Sequence, residues 1–222
     1  MSIQIRTEID DLKDTIILTR REIHQHPELA FDEHRTSNLV AKRLESLGIE
    51  VQTGVGKTGV VGTLKGNSKG KTIALRADMD ALPIQETSNI SYKSQNDGIM
   101  HACGHDGHTA MLLGTATALS QKVDKLNGNV KFFFQPAEEG HGGARYMIED
   151  GALEGVDEAY GIHLWNYQKY GTIGVKPGPI MAAADIFEIT IHGKGGHGAA
   201  PQGTQDAVLI AAHIIQTLQT IV

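Results

Sequence analysis

From about residue 72 onward the chain alternates short runs of β-branched and aromatic residues with stretches of helical character, and that alternation leaves few folds open. "TIALRAD" (72–78), "VKFFFQ" (130–135) and "AYGIHL" (159–164) read as strands, preceded by "GVVGTL" (59–64). Helical stretches lie between them, near 107–121 and 143–150. Strands and helices in this order give an α/β fold, with a mixed, mostly parallel sheet covered by helices on both faces. Open sheets of this kind bind their ligands at strand ends, so chemistry is expected there. Upstream, Thr7 reads as the N-cap of an amphipathic helix carrying Ile9, Leu12, Ile16 and Ile23 and closed by Pro27. Leu39, Val40, Leu44 and Leu47 mark a second helix, with Gly48 in the C-cap position.

The pattern changes near "VKPGPIMAAAD" (175–185), where two prolines and two glycines mark a linker. A strand-like "DIFEITIHG" follows, then a new helix from about Thr204. The division expected from this is one domain over 1–180 and the start of another over 181–222. The last helix, "DAVLIAAHIIQTLQTIV", has one acidic residue, no basic residue and no glycine cap. Its apolar surface calls for a partner that the sequence does not supply, and the expectation is an incomplete chain.

Bulk properties narrow the function. A chain of 222 residues that is 40% hydrophobic can bury a sizeable core. A net charge of -6 offers no basic face for nucleic acid. The N-terminus lacks a basic segment followed by an apolar one, and no apolar run reaches the roughly eighteen residues of a membrane span. The reading is a cytoplasmic protein with neither nucleic acid nor membrane as partner. A single cysteine cannot form an internal disulfide, so Cys103 is a ligand, a nucleophile or a buried filler.

Its setting favours the first of these. "MHACGHDGH" (100–108) packs three histidines, a cysteine and an aspartate into nine positions, and offers Cys103 and His105 as donors. "QPAEEGHGGA" adds Glu138 and Glu139 beyond one strand, "GIHLW" adds His163 at the end of another, and "RADMDALP" adds Asp78 and Asp80. Thiolate, imidazole and carboxylate together suit zinc, cobalt, nickel or manganese better than magnesium or calcium. Neighbouring Glu138 and Glu139 point different ways at a strand end, so one can bind metal while the other faces a water as general base. Each element taken singly also has a plain structural reading: Cys103 or His163 as core residues, the glutamates as solvated surface, Asp78 and Asp80 as caps.

"RADMDALP", "MHACGHDGHTAML", "FFFQPAEEGHGGA", "GIHLWN" and "GKGGHGAAPQGTQDAV" occur in that order, and together they resemble the amidohydrolase branch of the metallopeptidases that include aminoacylase, glutamate carboxypeptidase and succinyl-diaminopimelate desuccinylase. The resemblance runs from about Arg21 to the last residue. It implies a zinc-peptidase-like catalytic α/β domain that holds two divalent ions (Zn, Mn, Co or Ni) and carries an inserted α+β lid and dimerisation domain. It also implies hydrolysis of N-acyl amino acids such as hippurate or N-acetyl-diaminopimelate, by a homodimer joined through the lid. Carried over by position, Cys103 and His105 match metal ligands, with Cys103 as the bridge, and Glu139 and His163 match further ligands. Glu138 matches the general base. Asp78 matches an aspartate that orients ligands, and His197 matches the lid histidine that stabilises the oxyanion, in several relatives from the other subunit. The remaining histidines match no ligand position.

The family's chain is longer, and this one stops inside the lid, before a further histidine ligand. Two readings follow: a dinuclear amidohydrolase once completed, or a truncated, catalytically inactive metal-binding or assembly module of the same family.

Overall fold

Phe132, Phe133 and Phe134 stand side by side in the middle of a five-stranded sheet, and their alternation shows how the sheet is buried. In a strand successive side chains face opposite ways. Phe132 and Phe134 enter one core with Val60, Leu64, Met79 and Leu113, whereas Phe133 enters another with Val61, Ala74 and Met147. Each such aromatic side chain contributes roughly 1.5–3 kcal/mol by leaving water.

The computed structural model describes residues 7–183 and 185–221. The sheet comprises β1 (Glu50–Val55), β2 (Gly59–Lys65), β3 (Ser68–Asp78), β4 (Asn127–Gln135) and β5 (Glu158–Gly161), in the order β1-β2-β4-β3-β5. β3 runs parallel to both β4 and β5, while β2 is antiparallel to β1 and β4, so the sheet is mixed. Helices α1 (Thr7–Asp10), α2 (Lys13–Gln25), α3 (His34–Ser46), α4 (His105–Ser120) and α5 (Gly143–Glu149) complete this part of the chain. α3 and α4 supply Val40, Leu44, Leu112 and Ala116 to the first core, and α5 supplies Met147 to the second, so helices cover both faces.

Register explains where chemistry gathers. Asp78, the last residue of β3, pairs with Gln135, the last of β4, and Arg76 pairs with Gly161, the last of β5. Three parallel strands therefore end together. The loops carrying Asp80, Glu138, Glu139 and His163 leave from that common edge.

The chain separates into two compact units, Met1–Thr172 and Ile173–Val222, a break somewhat earlier than the linker composition suggests. In the second unit, α6 (Ala207–Leu218) is capped by Asp206, whose carboxylate accepts from Val208 N–H and Leu209 N–H. No residue of α6 is buried.

Four expectations need correction. The first helix is broken at Asp11–Leu12, where Leu12 N–H bonds the Ile9 carbonyl in a tight turn between α1 and α2. β5 ends at Gly161, so His163 sits beyond the strand. β1 is an additional strand at the sheet edge. "DIFEITIHG" forms no strand: among the described residues its neighbourhood has only the isolated bridge Lys194↔Gln205, and a strand needs a partner to satisfy its backbone. Among the described residues no helix is long and apolar enough to cross a membrane.

Candidate metal centre

Gly104 sets up the site. It precedes α4 with φ 90, a left-handed conformation that suits glycine, and it turns the chain between Cys103 and His105. His105 is then fully buried at the start of α4. Its Nδ1–H donates to Asp80 Oδ1 at 3.2 Å, because a carboxylate can only accept. That bond leaves Nε2 as the nitrogen that faces the cluster. Around Nε2 lie Asp78 Oδ2 at 3.7 Å, Glu139 Oε1 at 3.7 Å and Glu138 Oε2 at 3.8 Å.

His105 Nε2, Asp78 Oδ2 and Glu139 Oε1 are all buried without a hydrogen-bond partner. Arg76 Nη1 is 2.8 Å from Asp78 Oδ2, an ion pair off the hydrogen-bonding direction. Asp78 Oδ2 thus has a cation beside it, whereas His105 Nε2 and Glu139 Oε1 are buried 3.7 Å apart with none, a costly arrangement that a bound cation would relieve. A histidine held by a carboxylate on one nitrogen and open on the other is the arrangement that metal ligands adopt. The donor chemistry therefore fits a transition metal.

Cys103 and His163 form the other wall. Cys103 Sγ lies 3.4 Å from His163 Nε2 and its thiol donates there, while His163 Nδ1–H donates to the Leu164 carbonyl, which turns Nε2 towards the sulfur. One donor atom each from Cys103, His105 and His163 falls within 4.8 Å of the others, as do those of His105, Glu138 and Glu139. A third such group joins Asp78, His105 and His108. His108, however, is already used on both nitrogens: Nδ1–H donates to Asp78 Oδ1 at 2.6 Å, and Nε2 accepts from Leu164 N–H at 2.8 Å. It ties Asp78 to the segment that carries His163.

The electrostatics agree. Burial would raise the Asp78 carboxyl, but the His108 bond and the charges of His105 and Arg76 outweigh it and hold the pKa at about 2. Burial, then a hydrogen bond to Glu139 and the charges of Glu139, Glu138 and Asp78, push the Cys103 thiol up to about 12. Glu138 is raised by burial and by the Asp78 charge, the direction a general base near neutrality requires. The cluster is over-supplied with negative charge, and a bound dication would reverse the shift of the thiol.

Of the residues singled out in the sequence, the first unit brings together Cys103, His105, Glu138, Glu139, His163 and Asp78. His197 belongs to the second unit, where it is exposed and its Nδ1 accepts from Ala199 N–H at 3.1 Å. Sequence reasoning missed a buried network beneath α4. His24 Nδ1–H donates to Asp106 Oδ2 at 2.7 Å, Arg20 Nε lies 2.8 Å from the same oxygen, and Glu86 Oε1 is 3.3 Å from His24 Nε2. His101 is also buried; neither ring nitrogen has a hydrogen-bond partner, and burial lowers its pKa to about 4. It lines a cavity of about 300 Å³ shared with Cys103, Arg20 and Leu164. The crowding of histidines in 100–108 was the only sequence signal for it.

Residues 74–221 match the family described as Peptidase family M20/M25/M40. The chain is 50% identical over 218 residues to thermostable carboxypeptidase 2 of Saccharolobus solfataricus, covering 97% of this chain and 56% of that protein. It is 49% identical over 220 residues to the N-acyl-L-amino acid amidohydrolase of Geobacillus stearothermophilus, covering 99% of this chain and 60% of that protein. Among solved structures, the Bacillus subtilis YXEP protein, described as a dinuclear metal binding peptidase from the M20 family, superposes with a TM-score of 0.74 at 47% identity, covering 77% of this chain and 48% of that one. The chain thus spans little more than half the length of the curated relatives it matches.

Proposed function

Because the chain belongs to the peptidase family M20/M25/M40, we propose that its first unit is the metal-holding part of an amidohydrolase that cleaves the amide bond of N-acyl amino acids. The observation that carries this is the pair of buried, unpartnered atoms His105 Nε2 and Glu139 Oε1, 3.7 Å apart, beside the Cys103–His163 pair. The substrate class is supported by the name of the Geobacillus relative.

Cys103, His105, Glu139 and His163 would hold the two divalent ions. Asp80 fixes the His105 tautomer, and Asp78 adds negative charge beside it. Bound there, the ions supply Lewis-acid activation of water and of the scissile carbonyl. Glu138 takes the proton of the attacking water on its carboxylate and returns it to the leaving nitrogen. Its half-exposed position and raised pKa suit a group that must be ionised to accept a proton and protonated to give it back. His197 donates to the developing oxyanion from the second unit, which we read as the start of a lid through which two chains pair. The expected setting is the cytoplasm.

The test is a pair of near-identical substitutions. Glu139→Gln is expected to lose metal on dialysis against chelator, whereas Glu138→Gln keeps it. In a chimera that continues this chain with the remainder of the Geobacillus amidohydrolase, Glu138→Gln abolishes hydrolysis of N-acetyl and N-benzoyl amino acids. Equal metal loss in both variants, or turnover that survives Glu138→Gln, would sink the assignment.

A further inference from the structure

Glu33 is fully buried and stands directly before α3, where a carboxylate ordinarily accepts from the first turn of its own helix. It does not cap α3. Glu28 does that work, accepting from Arg35 N–H at 2.7 Å and Thr36 N–H at 2.8 Å. Glu33 instead reaches across the fold. Its Oε1 accepts from Ala137 N–H at 2.8 Å, and its Oε2 accepts from the Thr58 hydroxyl in the turn between β1 and β2.

Ala137 is an unusual place to spend a buried carboxylate. It is buried, it adopts φ 50 although it is not glycine, and it directly precedes Glu138 and Glu139. A left-handed alanine persists only where its surroundings over-determine it. Its carbonyl accepts from Gly143 N–H at 3.0 Å, and a side chain on Gly143 would run into the Pro136 carbonyl. Two positions further on, Glu139 N–H donates to Asp80 Oδ2 at 2.9 Å. Two carboxylates therefore grip alternate N–H groups on either side of Glu138, and one of them, Asp80, also holds His105.

We propose that Glu33 is a positioning residue for the metal centre: by fixing the left-handed Ala137 it aims Glu139 Oε1 at His105 Nε2 and places Glu138 beside it. This rests on the metal-site reading above. Without Glu33 the Ala137 N–H is buried and unpaired, the turn relaxes towards ordinary backbone angles, and both glutamates swing away. Burial pushes the Glu33 carboxyl up, opposed by the Thr58 and Ala137 bonds. Gln at this position keeps the geometry, since its carbonyl can accept from Ala137 and its amide can donate to the Thr58 oxygen.

The experiment titrates the whole chain with cobalt(II) and follows its visible absorption, a direct report on ligand geometry. Hydrogen exchange at Ala137 and Glu139 is followed in the metal-free protein. Glu33→Ala is expected to weaken cobalt binding about tenfold or more, the scale of losing a group that orients a ligand. Its spectrum shifts, and exchange at both amides accelerates. Glu33→Gln restores the wild-type spectrum and affinity. Thr58→Val, which removes the other bond to Glu33, lowers stability but leaves the cobalt spectrum unchanged. If Glu33→Ala does not fold, Glu33→Asp, one methylene too short to span the gap, takes its place with the same expectation. A folded variant lacking the Ala137 bond but with wild-type cobalt spectrum and affinity would overturn the proposal. A wild-type chain that takes up no cobalt would overturn the metal reading instead, and unchanged exchange at Ala137 and Glu139 in the variants would then overturn the positioning claim separately.

Discussion

Helices α4 and α6 both carry runs of apolar residues, yet the chain treats them in opposite ways. α4 buries eleven of its sixteen residues, including His105 and His108. α6 buries none, and Val208 and Leu209 are 78% and 58% exposed. The difference lies in the neighbours. α4 packs in one core with α3 and three strands, whereas among the described residues of its own unit α6 is accompanied only by a short 3-10 turn (Pro201–Gly203) and the isolated bridge Lys194↔Gln205. An apolar helix records a need for a partner, and only the surrounding elements decide whether the need is met. Chemistry follows the same division: the histidines of α4 have each ring nitrogen assigned or left open by buried partners, while His197 keeps one local backbone bond and is exposed.

The largest test of that contrast is on stability. Leu113→Ala, in the buried helix, should cost ~2–5 kcal/mol by opening a cavity. Leu209→Ala should fall within about 0.5 kcal/mol of wild type, as surface changes do. Urea denaturation of both variants measures this. Equal losses would mean that α6 is as well packed as α4, and the comparison would break.

A smaller effect separates the two sets of histidines. Asp80→Asn should weaken divalent-metal affinity about 10–100-fold, because the partner that fixes the His105 proton is gone. His197→Ala should leave affinity unchanged. Competition against a chromophoric chelator gives both numbers, and metal loss in the His197 variant would move that residue into the metal centre.

Some of this was legible in the sequence, for reasons that particular residues show. The runs 59–64, 72–78 and 130–135 are apolar enough to be buried on both sides, so they announce β2, β3 and β4. β1 escapes because it is an edge strand whose "EVQTGV" is mostly exposed. "IFEITIH" alternates as a strand should, but strandedness belongs to a pair, and pairing is not local. Donor types reveal Cys103, His105, Glu139 and His163 as candidates. Which nitrogen stays open, and that His108 is spoken for on both sides, depends on Asp78, Asp80 and the backbone of Leu164, far apart in sequence. The grip of Glu33 on Ala137, across 104 positions, leaves no local signature.

The smallest expected effect sharpens the account of what lies under α4. Burial lowers the His24 pKa, but its bonds to Asp106 and Glu86 outweigh burial and raise it above 6.5. Protonated His24 is thus favoured in the folded state. The stability it adds is fully present below about pH 6.5 and is lost as pH rises through the folded value. Wild type minus His24→Gln should give a stability difference of about 1 kcal/mol at pH 5.5 that shrinks above pH 7. A difference that grows with pH would show that His24 is buried neutral.

The central claim is that Cys103, His105, Glu139 and His163 hold metal together, and X-ray absorption of the zinc-loaded chain tests it most directly. The account predicts a sulfur scatterer at about 2.3 Å together with nitrogen and oxygen scatterers at about 2.0–2.2 Å, and loss of the sulfur shell in Cys103→Ser. A zinc environment without sulfur, or one that Cys103→Ser leaves unchanged, would contradict it.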